Sequence, residues 1–459
     1  MLDFAEIRSK SCRKMKGNSP NQNQKNLFHP LLKEFINPNH PLVTLANKVP
    51  WIELEKEFSS LYSYTGTPGK PVRLMAGLLI LKQMYNLGDE TLMPEWIRDP
   101  YFQYFCGESE FQWEFPCDPS DLVHFRKRVG EAGIEKIFSV SVKMQGKDLK
   151  SDDVISDTTA QEKNITFPTD SKLYLKIIGK CNAIARDEGV ELRQSYRRTT
   201  KKLLLQLRFS HHPRRKKQAR KALKRLKVIA GRQVRDIERK LPAEKLHLYL
   251  SDIELFNRVL SQQRNSKNKI YSLHEPETAC IAKGKTHKEY EFGSKVSIAM
   301  LPGSNIIVGV KTFSGNPHDS KTLAPTLEQC RRATGLTFKR AIVDRGYRGI
   351  NLVDQTEVLI PGKHKPKTAW KKQWYRKKFR SRAAIEPIIG HLKTDCRMMR
   401  NYLKGAQGDQ INALLAAAAL NFRRLLRKYE QDFLLSFFEI IQIFFPTHQL
   451  KLLNIKTGC

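Results

Sequence analysis

Two acids in this chain close short β-branched runs: Asp157 ends Val154-Ile-Ser-Asp157, and Asp344 ends Ala341-Ile-Val-Asp344. A carboxylate at the end of a buried strand projects at the edge of its sheet, where the active sites of α/β proteins gather. A third acid, Glu386, lies in Phe379-Arg-Ser-Arg382-Ala-Ala-Ile-Glu386-Pro-Ile-Ile-Gly-His391-Leu-Lys393. At roughly 100° per residue, Phe379, Arg382, Glu386 and Lys393 fall within about 60° of one another on a helix. One face then presents an aromatic ring, two cations and a carboxylate. Pro387 costs that helix a hydrogen bond unless it sits in the first turn, so a start or a kink is expected there.

Three carboxylates from separate segments form the donor set of a hard divalent cation. Mg2+ takes a few carboxylates together with water and phosphate oxygens. Two such ions about 4 Å apart activate an attacking oxygen and stabilise a leaving one. That is phosphodiester chemistry, with Asp157, Asp344 and Glu386 as the expected ligands. Any one of these acids taken singly reads more readily as a helix cap or a surface carboxylate. The pattern of three carries the inference.

The charge agrees with that chemistry. Among 459 residues, 81 Lys+Arg face 46 Asp+Glu, a formal net charge of +35, which repels itself unless a polyanion is near. Residues 1–150 carry only +2 of it and the remainder +33. Between Glu191 and Leu250 stand 20 Lys/Arg and four acids, including Arg214-Arg215-Lys216-Lys217. Between Pro361 and Arg380 there are nine Lys/Arg and no acid, interleaved with Trp370, Trp374, Tyr375 and Phe379. Cations beside aromatic rings serve phosphate contact and base stacking, so nucleic acid is the expected partner.

The elements that must position these residues follow from periodicity. The length allows about three domains, and 40% hydrophobic residues suffice for a sizeable core. Residues 1–28 are polar and expected to be a disordered tail. Residues 40–146 repeat apolar positions at helical spacing, an all-helical module that is either a helix-turn-helix reader of DNA or a plain bundle. In it, Asp118-Pro119-Ser120-Asp121 is a helix start, followed by helices over 122–129 and 134–142. Residues 154–156, 290–301, 306–313 and 340–343 read as strands, with a helix over 320–333. A basic helical block, 171–263, interrupts this α/β region, so that the domain spans 150–428. Helices are expected over 380–400 and 409–429, and residues 429–459 form an apolar tail.

Several other patterns are weaker. Asn316-Pro-His318-Asp319 suits a helix cap better than an active-site loop. His211-His212 has no carboxylate or cysteine partner and reads as DNA-facing or solvated. Gly284-Lys285-Thr286 resembles the end of a phosphate loop, but Ala279 stands where its first glycine belongs, so no ATP is expected. The eight cysteines are scattered without zinc spacings and suit a reduced, cytoplasmic protein. No apolar stretch reaches the length of a membrane span and no signal peptide is visible.

Together these residues resemble the D-D-E transposases of bacterial insertion sequences, specifically the insertion sequence 5 (InsH-like) group. The third segment is similar to that superfamily's Tyr-(2)-Arg-(3)-Glu-(6)-Lys signature, here Phe379-(2)-Arg382-(3)-Glu386-(6)-Lys393. The Asp157-Thr-Thr, Asp344-Arg-Gly-Tyr347 and Tyr290-Glu-Phe-Gly-Ser-Lys295 stretches also match, as does Asn401-Tyr-Leu-Lys-Gly405 followed by Gly408-Asp409. The resemblance spans about residues 40–428. It implies a ribonuclease H-like catalytic fold and an N-terminal helical domain that recognises transposon ends. It implies Asp157, Asp344 and Glu386 as ligands of two Mg2+ or Mn2+ ions, with strand cleavage followed by 3′-hydroxyl strand transfer in a homo-oligomeric synaptic complex. Arg382 and Lys393 would hold phosphates near the cleaved bond. The signature tyrosine is replaced by Phe379, which keeps the ring and loses the phenolic hydrogen bond. A nuclease without strand transfer and an inactive DNA-binding relic are the alternatives.

Overall fold

The computed structural model describes residues 30–62, 69–208, 210–263, 265–285, 288–364 and 366–444. The expected tail over 1–28 lies outside them, as do residues 445–459 and Thr286 of the Gly284-Lys285-Thr286 stretch.

The described residues open with seven α-helices: α1 (Leu32–Phe35), α2 (Pro41–Lys48), α3 (Trp51–Ser59), α4 (Val72–Met84), α5 (Asp89–Arg98), α6 (Pro100–Cys106) and α7 (Pro119–Lys143). Their starts follow from local chemistry. Pro41, Pro100 and Pro119 open α2, α6 and α7, where the missing N–H costs nothing, and the preceding His40, Asp99 and Asp118 each accept a backbone N–H in the first turn. Asp118 and Asp121 close a reciprocal capping box. Gly130 breaks α7 with φ 64°, ψ −167°, a backbone state that favours glycine, so the two expected helices meet there. Helix α4 is buried along nearly its whole length and runs through the interior of the bundle.

The sheet is entered at β1 (Asp153–Lys163). Four helices follow: α8 (Asp170–Asp187), α9 (Arg197–Leu207), α10 (Pro213–Lys240) and α11 (Ala243–Ser261). Then come β2 (Ala279–Lys285), β3 (Lys288–Met300), β4 (Ile307–Phe313), α12 (Ser320–Thr334), β5 (Arg340–Ile342), β6 (Leu352–Val353) and β7 (Thr356–Leu359). The chain continues through α13 (Ala369–Arg382), α14 (Ile385–Thr394), β8 (Arg400–Asn401) and the long α15 (Gly405–Phe444). β1 is central: antiparallel to β3 on one side and parallel to β5 on the other, with β7 parallel to β5 beyond. The outer edge of β3 is shared by β2 along its first half and β4 along its second.

One apolar interior runs from Trp51 and Leu78 in the helices through Ile298 and Val310 in the sheet to Phe422 in α15. Asn421 fastens α15 to the start of β4, accepting from Ile307 N at 3.1 Å and donating to Ile307 O at 2.9 Å. The helices α8, α10 and α11 enclose a separate cluster around Ile177, Leu226, Ile229 and Phe256. Lys163 at the end of β1 bridges Glu275, just before β2, at 3.1 Å and Asp409 on α15 at 2.8 Å, with all three side chains under 10% exposed. Both connections of the helical block are therefore tied to the same point of α15.

Two sequence expectations change. The helix expected over 380–400 is two helices, interrupted at Ala383 and Ala384. Pro387 lacks an N–H and its ring crowds the carbonyl four residues earlier, so a new helix starts with Pro387 in its first turn. Strands β2, β6, β7 and β8 were not anticipated: β6 and β8 have two residues each, too few for a period of two to register.

Candidate active site

The register of the parallel pair decides where the two aspartates stand. Val154 lies opposite Ala341 and Ile155 opposite Ile342, so Asp157 and Asp344 each follow the last β1–β5 rung by two residues. Asp344 stands just past the end of β5, but Asp157 does not close its strand as the sequence suggests: β1 runs on to Lys163 because β3 continues to pair with it, from Asp157 opposite Ile298 to Glu162 opposite Gly293. Asp157 Oδ1 accepts from Thr158 N at 2.7 Å, and Oδ2 from Arg382 Nη1 at 3.2 Å. Asp344 Oδ1 accepts from Gly346 N at 2.9 Å, capping the 3-10 turn Arg345–Tyr347. Burial pushes the Asp157 carboxyl up to about 6; the charges of Asp344 and Asp319 add to that rise, while the Thr158 N–H and Arg382 oppose it.

Asp319 is the carboxylate that reading the sequence placed elsewhere. It holds the N-cap position of α12 but makes no side-chain cap; His318 Nδ1 accepts from Ser320 N at 3.3 Å instead. The Asp319 side chain turns inward, where Oδ1 accepts from Thr158 Oγ1 at 2.8 Å and from Lys295 Nζ at 2.8 Å. Its Oδ2 lies 2.6 Å from the position that a β-carbon on Gly346 would take, and Asp344 Oδ1 lies 3.0 Å from the same point. Burial works to raise the Asp319 carboxyl, but the Lys295 and Thr158 hydrogen bonds outweigh it and hold it below the usual range. Asp319 therefore holds the neighbour of Asp157 and leaves no room for a side chain at Gly346, the residue whose N–H Asp344 caps. The local Pro-His-Asp sequence suits a cap, and only the long-range partners Thr158 and Lys295 reveal the other role.

Glu386 is second in α14 and its side chain is 70% exposed. It does not join the aspartates directly. Arg382 stands between them, with Nη2 3.8 Å from Glu386 Oε1. Among the described residues, no three His, Cys, Asp or Glu side chains converge closely enough to hold a metal ion. The donor chemistry fits Mg2+ or Mn2+ nonetheless: Asp157 is a carboxylate, 18% exposed, whose ionised form is disfavoured by partial burial and by two neighbouring acids, a situation that a bound cation relieves.

The third segment is anchored by an acid that the sequence did not single out. Asp153, 6% exposed and four residues before Asp157 on β1, accepts from Arg340 Nε at 2.5 Å and from Lys378 Nζ. Both cations also lie over the Trp374 ring, at 5.5 and 5.4 Å. These contacts hold α13, which has no fully buried residue of its own, against the sheet. Phe379 packs beside Ile155, Ile342 and Ile385 and stacks on Tyr375 at 6.0 Å; Tyr375 stacks on His364 at 4.7 Å and retains a hydroxyl one turn earlier. Lys393 reaches Glu291 on β3 at 3.9 Å. Arg214, Arg215, Lys216 and Lys217 are exposed in the first turn of α10, which packs on α8, α9 and α11. His211 and His212 are exposed just before them.

Residues 30–128 match the family described as "Transposase domain (DUF772)", and residues 263–422 match the "Transposase DDE domain". An uncharacterized protein, ORF8 in the nfe locus of Rhizobium meliloti, is 38% identical over 205 residues, 44% of this chain and 99% of that relative. The chain belongs to the DDE transposases. No solved structure matches it. The catalytic domain of DDE transposases implies a ribonuclease H-like fold, and this transposase has the mixed sheet and N-terminal helices to accompany it. Asp344, Glu386, Lys295 and Asp319 lie within the matched DDE range. Asp157 precedes it, and its place beside Asp344 comes from the pairing of β1 with β5.

Proposed function

We propose that this transposase cuts DNA at the ends of its element and joins the exposed 3′-hydroxyl to target DNA, with Asp157, Asp344 and Glu386 as metal-binding catalytic residues. The observation that carries the reading is the β1–β5 register, which sets Asp157 and Asp344 side by side, two residues past the last paired rung. When bound there, two Mg2+ or Mn2+ ions supply activation of the attacking oxygen and charge neutralisation at the leaving oxygen. The chain's own residues do the rest. Arg382 holds a phosphate bidentately near the scissile bond, and in leaving Asp157 and Glu386 for DNA it frees both carboxylates. Lys393 contributes a point charge along the same helix segment. Phe379 packs the base of that segment, and its ring faces the strand that enters.

The exposed cations of α10, starting at Arg214–Lys217, clamp DNA as part of the basic helical insertion 171–263. The helices over 40–146 recognise the transposon end. Two ends held together require a homo-oligomer. No ATP is used. Among the described residues no helix is long and apolar enough to cross a membrane, and a cytoplasmic, nucleoid-associated protein suits a DNA substrate.

The test uses oligonucleotide duplexes carrying the DNA that flanks the gene. Asp157→Asn, Asp344→Asn and Glu386→Gln are each expected to abolish cleavage in Mg2+ while leaving duplex binding largely intact. Wild-type cleavage in any of the three removes that residue from the site. Joining of a pre-cut 3′ end to a second duplex separates a transposase from a nuclease that only hydrolyses, and absence of both activities in the wild-type chain identifies a relic.

A further inference from the structure

Next to the carboxylates lies a recess that the proposed mechanism does not use. It is lined by Arg345, Arg348, Gly349, Ile360, Pro361, Gly362 and Lys363, at the carboxyl ends of β5 and β7. Three of the seven residues are cations and none is an acid. Gly349 (φ +102°) and Gly362 (φ +82°) adopt left-handed backbone states and present no side chain to the opening. The recess begins one residue after Asp344, whose side chain caps the turn carrying Arg345, so its cations are positioned by the same local structure as that carboxylate.

What distinguishes this recess is the state of its charges. The cations that flank the carboxylates are each taken up by an acid: Lys295 by Asp319, Arg340 and Lys378 by Asp153, Arg382 by Asp157. Arg345 and Arg348 are exposed, and among the described residues neither has an acidic partner or a side-chain hydrogen bond. Lys363 donates to Ile350 O and Asn351 Oδ1, which fixes the rim without neutralising it. Unpaired guanidinium groups around a shallow, acid-free opening match a phosphodiester, whose two free oxygens accept the paired N–H groups of arginine.

We propose that this recess is a backbone-phosphate subsite for the DNA strand running past Asp344, with Arg345 and Arg348 as its contacts. It rests on the reading of this site as one that takes DNA, and extends that reading to residues that follow Asp344 in the chain. Each neutralised phosphate releases counterions, so every lost contact lowers the slope of log affinity against log salt by about 0.9.

The experiment measures binding of the full chain to a fluorescein-labelled duplex of the gene-flanking DNA, in EDTA, across a KCl series. Arg345→Ala with Arg348→Ala is expected to lower the slope by roughly 2. Arg345→Lys with Arg348→Lys keeps both charges and is expected to retain the slope, which shows that the positions tolerate substitution. Lys147→Ala with Lys150→Ala removes the same charge from another exposed segment and is expected to leave the slope near wild type. An unchanged slope in the arginine double variant, or an equal fall in the Lys147/Lys150 variant, overturns the subsite. The two readings fail separately. If Asp344→Asn still cleaves, the assignment of the carboxylates falls while the salt slope continues to report on the recess; if Asp344→Asn is inactive and the slope does not move, only the recess falls.

Discussion

Arg382 donates to Asp157 at 3.2 Å, a contact between α13 and β1 that spans 225 residues of sequence. The same guanidinium lies 3.8 Å from Glu386. A single cation thus neutralises two of the three proposed metal ligands in the absence of DNA. Removing it has effects of opposite sign. Arg382→Ala should let the DNA-free chain bind Mn2+ roughly tenfold more tightly, because the competing charge about 4 Å away is gone. Cleavage should fall on the order of 100-fold, because the phosphate contact is lost. Mn2+ titration followed by electron paramagnetic resonance, beside a cleavage assay, reads both; weakened Mn2+ binding would show that the guanidinium supports the site instead of competing for it.

Asp319 accepts from Thr158, beside Asp157, and its Oδ2 crowds the side-chain position of Gly346, whose N–H Asp344 caps. Asp319→Ala should reduce cleavage by about 10- to 100-fold and weaken Mn2+ binding in parallel, the usual scale for a residue that orients ligands. Asp319→Asn keeps an acceptor for Thr158 and should recover part of the loss. Gly346→Ala approaches the same carboxylate from the other side, since its β-carbon would lie 2.6 Å from Asp319 Oδ2. It should impair cleavage while leaving the urea midpoint nearly unchanged.

Asp153 anchors α13 with two cations. Asp153→Ala leaves Arg340 and Lys378 without their acid and should cost about 2 kcal/mol, a buried-pair loss reduced by the partial exposure of both cations. The specific signature is local: limited trypsin digestion should cut within Lys371–Lys378 much faster than in wild type. Unchanged cutting there would mean that Trp374 and Phe379 suffice to hold the helix.

Far from the sheet end, Asp89 on α5 receives Arg126 of α7 at 2.9 and 2.6 Å and Lys82 of α4 at 2.7 Å. Burial would raise its carboxyl, but Arg126 and Lys82 outweigh that and bring it down to about 2. A depressed carboxylate stabilises the fold above its unfolded value near 4, and that stability is lost as pH falls from about 4 through 2. Asp89→Ala should cost about 3 kcal/mol at neutral pH, because Arg126 is left buried and unpaired. Urea unfolding at pH 7 and pH 2.5 checks this: the gap between wild type and variant should narrow in acid.

Much of the molecule is legible from local pattern. The capping box at Asp118, the strand that ends just before Asp344, the helix break near Pro387 and the placement of the positive charge all follow from neighbours within a few residues, whereas β1 runs past Asp157 to Lys163 because β3 pairs along it. So does membership of the family, through the spacing of Arg382, Glu386 and Lys393 and the motifs around them.

Other features depend on which strands meet. Asp153 and Arg340 are 187 residues apart, and their pairing, which sets Asp157 beside Asp344, exists only once β5 docks parallel to β1 after four helices, three strands and α12 have intervened. Asp319 reads as a cap because its sequence neighbours favour one, whereas its side chain answers to Thr158 and Lys295 on β1 and β3. Glu386 reads as the companion of two aspartates, yet the break before α14 leaves it exposed, with Arg382 in between. The residue types and spacings determined which chemistry the chain is built for. Hydrogen bonding across the sheet decided which carboxylates face one another, because contact between distant segments is set by strand order and register and not by sequence separation.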